Sequence, residues 1–195
     1  MLKRRRTQKT DYIQRLALLK SGKPRLVIRR ALNNIHVQVI IWDGEDKTQV
    51  EVSSKFLRKY GWKGHNGNLP AAYLTGYLAG LNAVKKSIKE ANVDIGLHMS
   101  VRASSLYAAA AGARDAGLIM TVGKEAIPKM DRIKGSHVAQ YAQKLSGSEK
   151  YKKQFSAYLS AGLKPEELPK HFDEVKEKIA DEFGVKKVVK AEAKQ

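Results

Sequence analysis

Three carboxylates are the first candidates for chemistry. Asp43, Asp46 and Asp94 fall where strands are expected to begin or end, and acids at strand ends can jointly hold magnesium ions for phosphodiester cleavage. A magnesium-dependent RNA-processing nuclease is therefore the enzymatic alternative, although Asp43 and Asp46 also suit a turn and Asp94 the start of a strand. Other catalytic arrangements fail on spacing. Gly117 to Lys124 places five residues between its glycines where a phosphate-cradling loop needs four, and Glu125 stands where Ser or Thr would meet magnesium. Gly112 to Gly117 has the right gap, but Leu118 replaces the lysine. The histidines, His36, His65, His98, His137 and His171, form neither H-E-x-x-H nor any pair at helical spacing. Ser100, Ser104, Ser105, Ser136 and Ser146 sit in no nucleophile elbow. There is no cysteine, hence no thiolate nucleophile, disulfide or Cys-ligated zinc. No cofactor, metal site or small-molecule substrate is expected.

Binding chemistry is better supplied. From Leu2 to Arg30 there are eleven Lys or Arg residues and one acid, Asp11, so this stretch carries +10 of the chain's formal +18. That density is the electrostatic footprint of a polyanion partner. A tail address or membrane patch would need only Lys3, Arg4, Arg5 and Arg6; here the bias continues through Lys9, Lys20, Lys23, Arg25, Arg29 and Arg30 into segments with strand character. Tyr12, Tyr60 and Trp62 lie beside Lys9, Arg58 and Lys63, and an aromatic next to cations suits stacking on unpaired bases over a phosphate backbone. Asn33, Asn34, His36 and Gln38 add donors for base edges and ribose hydroxyls. His65 and Asn66 follow in the same glycine-rich loop. RNA is the expected partner.

The elements that must position these residues can be read in order. With 43% hydrophobic and 29% charged residues over 195 positions the composition is globular, and no apolar run approaches the ~20 residues of a membrane span. The polar N-terminus lacks the apolar centre of a signal peptide, so the product is expected to be cytoplasmic. Residues 1–20 form a basic arm, ordered only on its partner, and a short helix closed by Ser21-Gly22-Lys23-Pro24. Residues 21–126 form an α/β core: strands at Arg25–Arg30, Ile35–Trp42 and Thr48–Ser54 as an antiparallel meander turning at Asp43-Gly44-Glu45-Asp46. A helix from Pro70 to about Lys89 follows, with Gly76, Gly80 and Ala83 on a flank suited to packing on the sheet. Then come a strand at Val93–Met99, a helix at Ser104–Ala116 and a fifth strand at Leu118–Val122. The sheet is mixed, with helices packed on it. Residues 127–195 form a helical extension, with helices from Ser136 (as N-cap) to Leu145, from Ser148 to Leu159 and from Glu166 to Phe183, and a fraying end at Val185–Gln195.

The succession KTDYIQRLALLKSGKPRLVIRR, SSKFLRKYGWKGHNGNLPAAYLTGYLAG, DIGLH and DRIKGSH resembles a family of large-subunit ribosomal proteins that bind 5S ribosomal RNA, in its archaeal form. In subunit naming this is protein eighteen, counterpart of eukaryotic large-subunit protein five. The resemblance runs from Arg4 to Leu145, and Tyr60-Gly61-Trp62-Lys63-Gly64 with Pro70-Ala71-Ala72-Tyr73-Leu74-Thr75-Gly76 is its most specific part. It implies a non-catalytic protein that docks 5S RNA onto the large subunit, touches 23S RNA and helps build the central protuberance. It implies RNA contacts at Lys3 to Lys9, at Arg25, Arg29 and Arg30, and at Trp62 and Lys63. The implied protein partner is the neighbouring 5S-binding large-subunit protein five of bacterial naming.

Overall fold

A computed structural model describes residues 2–184; the expected fraying of Val185–Gln195 lies outside them. The chain opens with a one-turn helix, α1 (Lys3–Arg6), and α2 (Tyr12–Lys20). Asp11 caps α2, its carboxylate accepting from the amides of Ile13 and Gln14. The basic arm, expected to order only on a partner, thus has one helical turn of its own. It buries nothing.

Strands β1 (Arg25–Arg30), β2 (Ile35–Asp43) and β3 (Glu45–Ser53) form the expected meander, and β4 (Asn92–Asp94) joins parallel to β1, giving the order β3-β2-β1-β4. Alternation sends Leu26 and Ile28 of β1, Val37 and Val39 of β2, and Val50 and Val52 of β3 to one face, all at most 5% exposed. Each fully buried aliphatic side chain contributes roughly 1.5–3 kcal/mol. Arg25, Val27 and Arg29 pair opposite Ile40, Gln38 and His36 on the other face. The hairpin is tighter than expected: β3 begins at Glu45, directly after Gly44, and a register shift at Val39/Ile40 absorbs the difference.

The long helix α3 (Leu69–Lys85) starts at Asn68, whose side chain accepts from the Ala71 amide. It ends before the expected Lys89, because Ser87 turns left-handed (φ 62) and the Ile88 amide returns to the Ala83 carbonyl at 3.0 Å, a Schellman closure. Next comes α4 (Ser105–Asp115), and its contact with α3 corrects one expectation. Gly76 and Gly80 face α4 and not the sheet: a Cβ on Gly76 would enter the Ala109 carbonyl, and one on Gly112 the Tyr73 carbonyl. Reciprocal glycines and a run of buried alanines let the two backbones touch.

Two strands fall short of expectation. The first, β4, ends at Asp94, which still pairs with Val27 but turns its carbonyl to Arg29 and its carboxylate to Arg29 and the Gly96 amide. Beyond Leu118 only a single bridge forms, Glu90 to Ile119, so among the described residues there is no fifth strand. Met120 and Val122 pack on the core without pairing.

The extension comprises α5 (Met130–Lys134), α6 (Ser136–Leu145), α7 (Glu149–Gln154), α8 (Ser156–Ser160) and α9 (Leu168–Glu182). Gly135, not Ser136, caps α6. The helix expected from Ser148 to Leu159 breaks at Phe155, whose ring is buried among those of Tyr141, Tyr151 and Tyr158. On α9, Phe172 packs against Tyr73, and the Lys176 ammonium donates to the Tyr73 hydroxyl (2.9 Å), which donates to Asp115 (2.7 Å). Burial drives the Tyr73 phenol far above its ordinary range and pushes Lys176 down. Three helices are stapled through one hydroxyl.

Candidate nucleic-acid interface

Cations gather in two places. The first is a cleft of about 470 Å³ between the arm with α2 and the outer face of the sheet, lined by Arg4, Lys9, Arg15, Arg25 and Arg29 around Val27, Ile40 and Leu18. The three carboxylates considered for magnesium have other partners. Asp46 takes Arg15 (2.7 Å) and Arg25 (2.6 Å), Asp94 takes Arg25 (3.3 Å) and Arg29 (3.0 Å), and Asp43 takes Lys47 (2.6 Å). Arg15, Asp46, Arg25, Asp94 and Arg29 thus alternate in sign across the outer face. Such a chain satisfies buried charges that would otherwise cost several kcal/mol each.

The second place is a broad groove of about 1130 Å³ where the β1–β2 turn, the Gly61–Asn68 loop and α7–α8 meet. Asn33, Asn34, Lys63, His65 and Asn66 converge there, joined by Lys55 and Arg58 from the 3-10 turn Ser54–Tyr60. Gln154 and Tyr158 supply the far wall. Those two contributions escaped the sequence, since no local pattern links residues ninety positions apart.

The expected contact residues divide by exposure. Lys3, Arg4, Arg5, Arg6, Lys9, Lys20, Lys23, Arg30, Asn33, Lys63 and His65 are exposed, while Tyr12, Arg29, His36, Gln38 and Asn66 are half-buried. Lys3, Arg5, Arg6, Lys9, Lys20, Arg30 and Lys63 have no acidic partner among the described residues. Lys23 reaches Glu90 at 2.7 Å.

Two of the expected contacts are corrected. Arg25 is 5% exposed and spends its guanidinium on Asp46 and Asp94, because its strand position puts it beneath α2. Trp62 is 3% exposed and stacks on His171 of α9 at 5.3 Å, so its ring has no face left for a base. The Lys63 amide donates to His171 Nε2 at 3.1 Å, fixing the backbone that presents the Lys63 side chain. Burial pushes the His171 imidazole below its ordinary range; Glu174 opposes this and Lys63 and Lys178 add to it. A neutral ring can accept that bond. Tyr60, also considered for stacking, is half-buried, and burial with a bond to Glu182 raises its phenol far above the usual range.

Residues 1–90 match the family model described as ribosomal large subunit proteins 60S L5, and 50S L18. Over 179 residues, 91% of this chain and 93% of the relative, the sequence is 51% identical to the large ribosomal subunit protein uL18 of Methanococcus maripaludis.

Proposed function

Because this chain belongs to the family of large-subunit ribosomal proteins that includes 60S L5 and 50S L18, and so is a structural constituent of the ribosome, we propose that it binds 5S rRNA and attaches it to 23S rRNA in the central protuberance. The observation that carries this reading is the run from Leu2 to Arg30, eleven cations against one acid, with Lys3–Arg6, Lys9, Lys20 and Arg30 exposed. Those cations neutralise phosphates, and phosphate contacts set register without reading sequence. Reading falls to the amides and imidazoles: Asn33, His65 and Asn66 in the groove, His36 and Gln38 on the sheet. Labour divides along the chain accordingly, with residues 1–20 as the electrostatic arm, 21–126 as the RNA-binding core, and the helices after 127 shaping the groove; the protein partner is a neighbouring 5S-binding protein, the large-subunit protein five of bacterial naming.

Filter binding of the full chain to 5S rRNA and to tRNA at several salt concentrations tests the proposal. The expected result is a preference for 5S rRNA that persists as salt rises, since specific contacts outlast counterion release. Equal affinity for both RNAs at every salt concentration would refute it.

A further inference from the structure

An acidic residue on a surface meant for a polyanion ought to weaken binding. Asp94 is the best placed of them, with its side chain 8% exposed against the partly open Arg29. We propose that Asp94 is a positioning residue for RNA: it holds Arg29 so that one edge of the guanidinium is presented to a phosphate. This rests on the RNA-binding reading above.

The geometry around Arg29 leaves it little freedom. Nη1 donates to the Asp94 carbonyl (2.7 Å) and the Ile28 carbonyl (3.0 Å), and Nη2 donates to Asp94 Oδ1 (3.0 Å). The same Oδ1 accepts the Gly96 amide at 2.8 Å, so the carboxylate is itself fixed by the turn it opens. Gly96 has φ +62, and a Cβ there would stand 2.8 Å from Arg29 Cζ, 3.0 Å from Nη2 and 3.1 Å from Nε. The guanidinium therefore lies against bare backbone at a left-handed position that favours glycine. On its other side Asp94 holds Arg25, which Asp46 holds in turn.

What remains of Arg29 is specific. Its Nε–H and one Nη2–H have no acceptor among the described residues, and the side chain is 42% exposed at a cleft also lined by Arg4, Lys9 and Arg15. Those two donors make the planar fork that a phosphate accepts in a bidentate way. Two of the three bonds go to backbone carbonyls and the Asp94 carboxylate adds the charge-assisted third, so the ordering that a phosphate would otherwise have to impose on the arginine is already done.

The sign of one substitution separates this from ordinary electrostatics. Asp94→Asn removes a negative charge, and a purely Coulombic role predicts tighter RNA binding. Positioning predicts the reverse. The experiment is filter binding of the full chain to 5S rRNA for wild type, Asp94→Asn, Arg29→Lys and the double variant. Each single variant is expected to bind about tenfold more weakly, as for loss of one charge-assisted contact, and the double variant no more weakly than either, since both remove the same fork. If the phosphate contact is lost outright and not merely weakened, the slope of log affinity against log salt flattens by about 0.7 as well. Wild-type-like or tighter binding by Asp94→Asn would overturn the inference. Should Asp94→Asn fail to fold, Asp94→Glu takes its place: it keeps the charge and moves the carboxylate by one methylene, so unchanged affinity overturns the inference and loss supports it. Failure of wild type to bind 5S rRNA at all would bring down the proposed function and this inference with it, whereas a tight wild type with an indifferent Asp94→Asn removes this inference only.

Discussion

Replacing Arg4, Arg5 and Arg6 together with alanine gives a magnitude that can be worked from the structure. All three are exposed, sit on a single turn that buries nothing, and have no acidic partner among the described residues. The change removes one exposed hydrogen bond, Arg4 Nε to Thr10 Oγ1 at 2.8 Å, so the folded core should melt as before. If each cation meets a phosphate, each contributes about 0.7 to the salt slope on single strands and about 0.9 on duplex. Three therefore flatten it by roughly 2 to 2.7, and with equal affinities at 1 M salt the variant binds ~100- to 500-fold more weakly at 0.1 M. The assay is filter binding to 5S rRNA across that range. Parallel salt lines for variant and wild type would show that the arm touches no phosphates, whatever happens to the absolute affinity.

Three further outcomes follow from the packing. Gly112→Ala should destabilise the fold by about 1–3 kcal/mol or more, because its methyl would enter the Tyr73 carbonyl; an unchanged urea midpoint would refute the α3–α4 contact. Trp62→Ala should cost about 3–5 kcal/mol of stability, while Trp62→Phe should leave RNA affinity close to wild type; a loss in Trp62→Phe as large as that in Lys63→Ala would mean that the indole meets RNA after all. His171 is held low by burial, so the unfolded chain protonates first: its contribution to stability is complete above the unfolded value of about 6.5 and is lost as pH falls below that through the depressed folded value. His171→Gln, which keeps an acceptor for the Lys63 amide, should flatten the fall in urea midpoint below about pH 6.5, leaving the share of His137, also pushed down by burial and by Arg132; superimposable pH profiles would count against it.

Where period and charge are local, the sequence was legible. Alternation from Ile35 to Trp42 revealed two faces, and the register bore out Arg25 and Arg29 joining His36 and Gln38 on the polar one. The large-subunit family was legible too, in the loop around Trp62 and the start of α3. What a pattern cannot carry is the identity of the neighbour. A flank of glycines announces a close approach without saying whether a sheet or a helix approaches, hence the reassignment of Gly76 to Ala109. An aromatic between cations reads as a stacking platform until a histidine from α9 is found on its face. Arg25 reads as a donor until Asp94, sixty-nine residues later, arrives beneath it. The fifth strand failed for a related reason: Leu118–Val122 has strand composition, but among the described residues it forms a single bridge, Ile119 opposite Glu90, through the Lys89 carbonyl and the Ala91 amide.

The bond between Lys63 and His171 spans 108 positions, and this imposes an order on synthesis. A nascent chain released as far as α4 already contains all four strands and the cationic arm. The wall that shelters Trp62 and steadies Lys63 leaves the exit tunnel only with α9. On the function proposed above, charge and shape are thereby separated in time: the cationic segment is made first, the groove holding Asn33, His65 and Asn66 gains its far wall only with α7 and α8, and Lys63 is steadied only with α9.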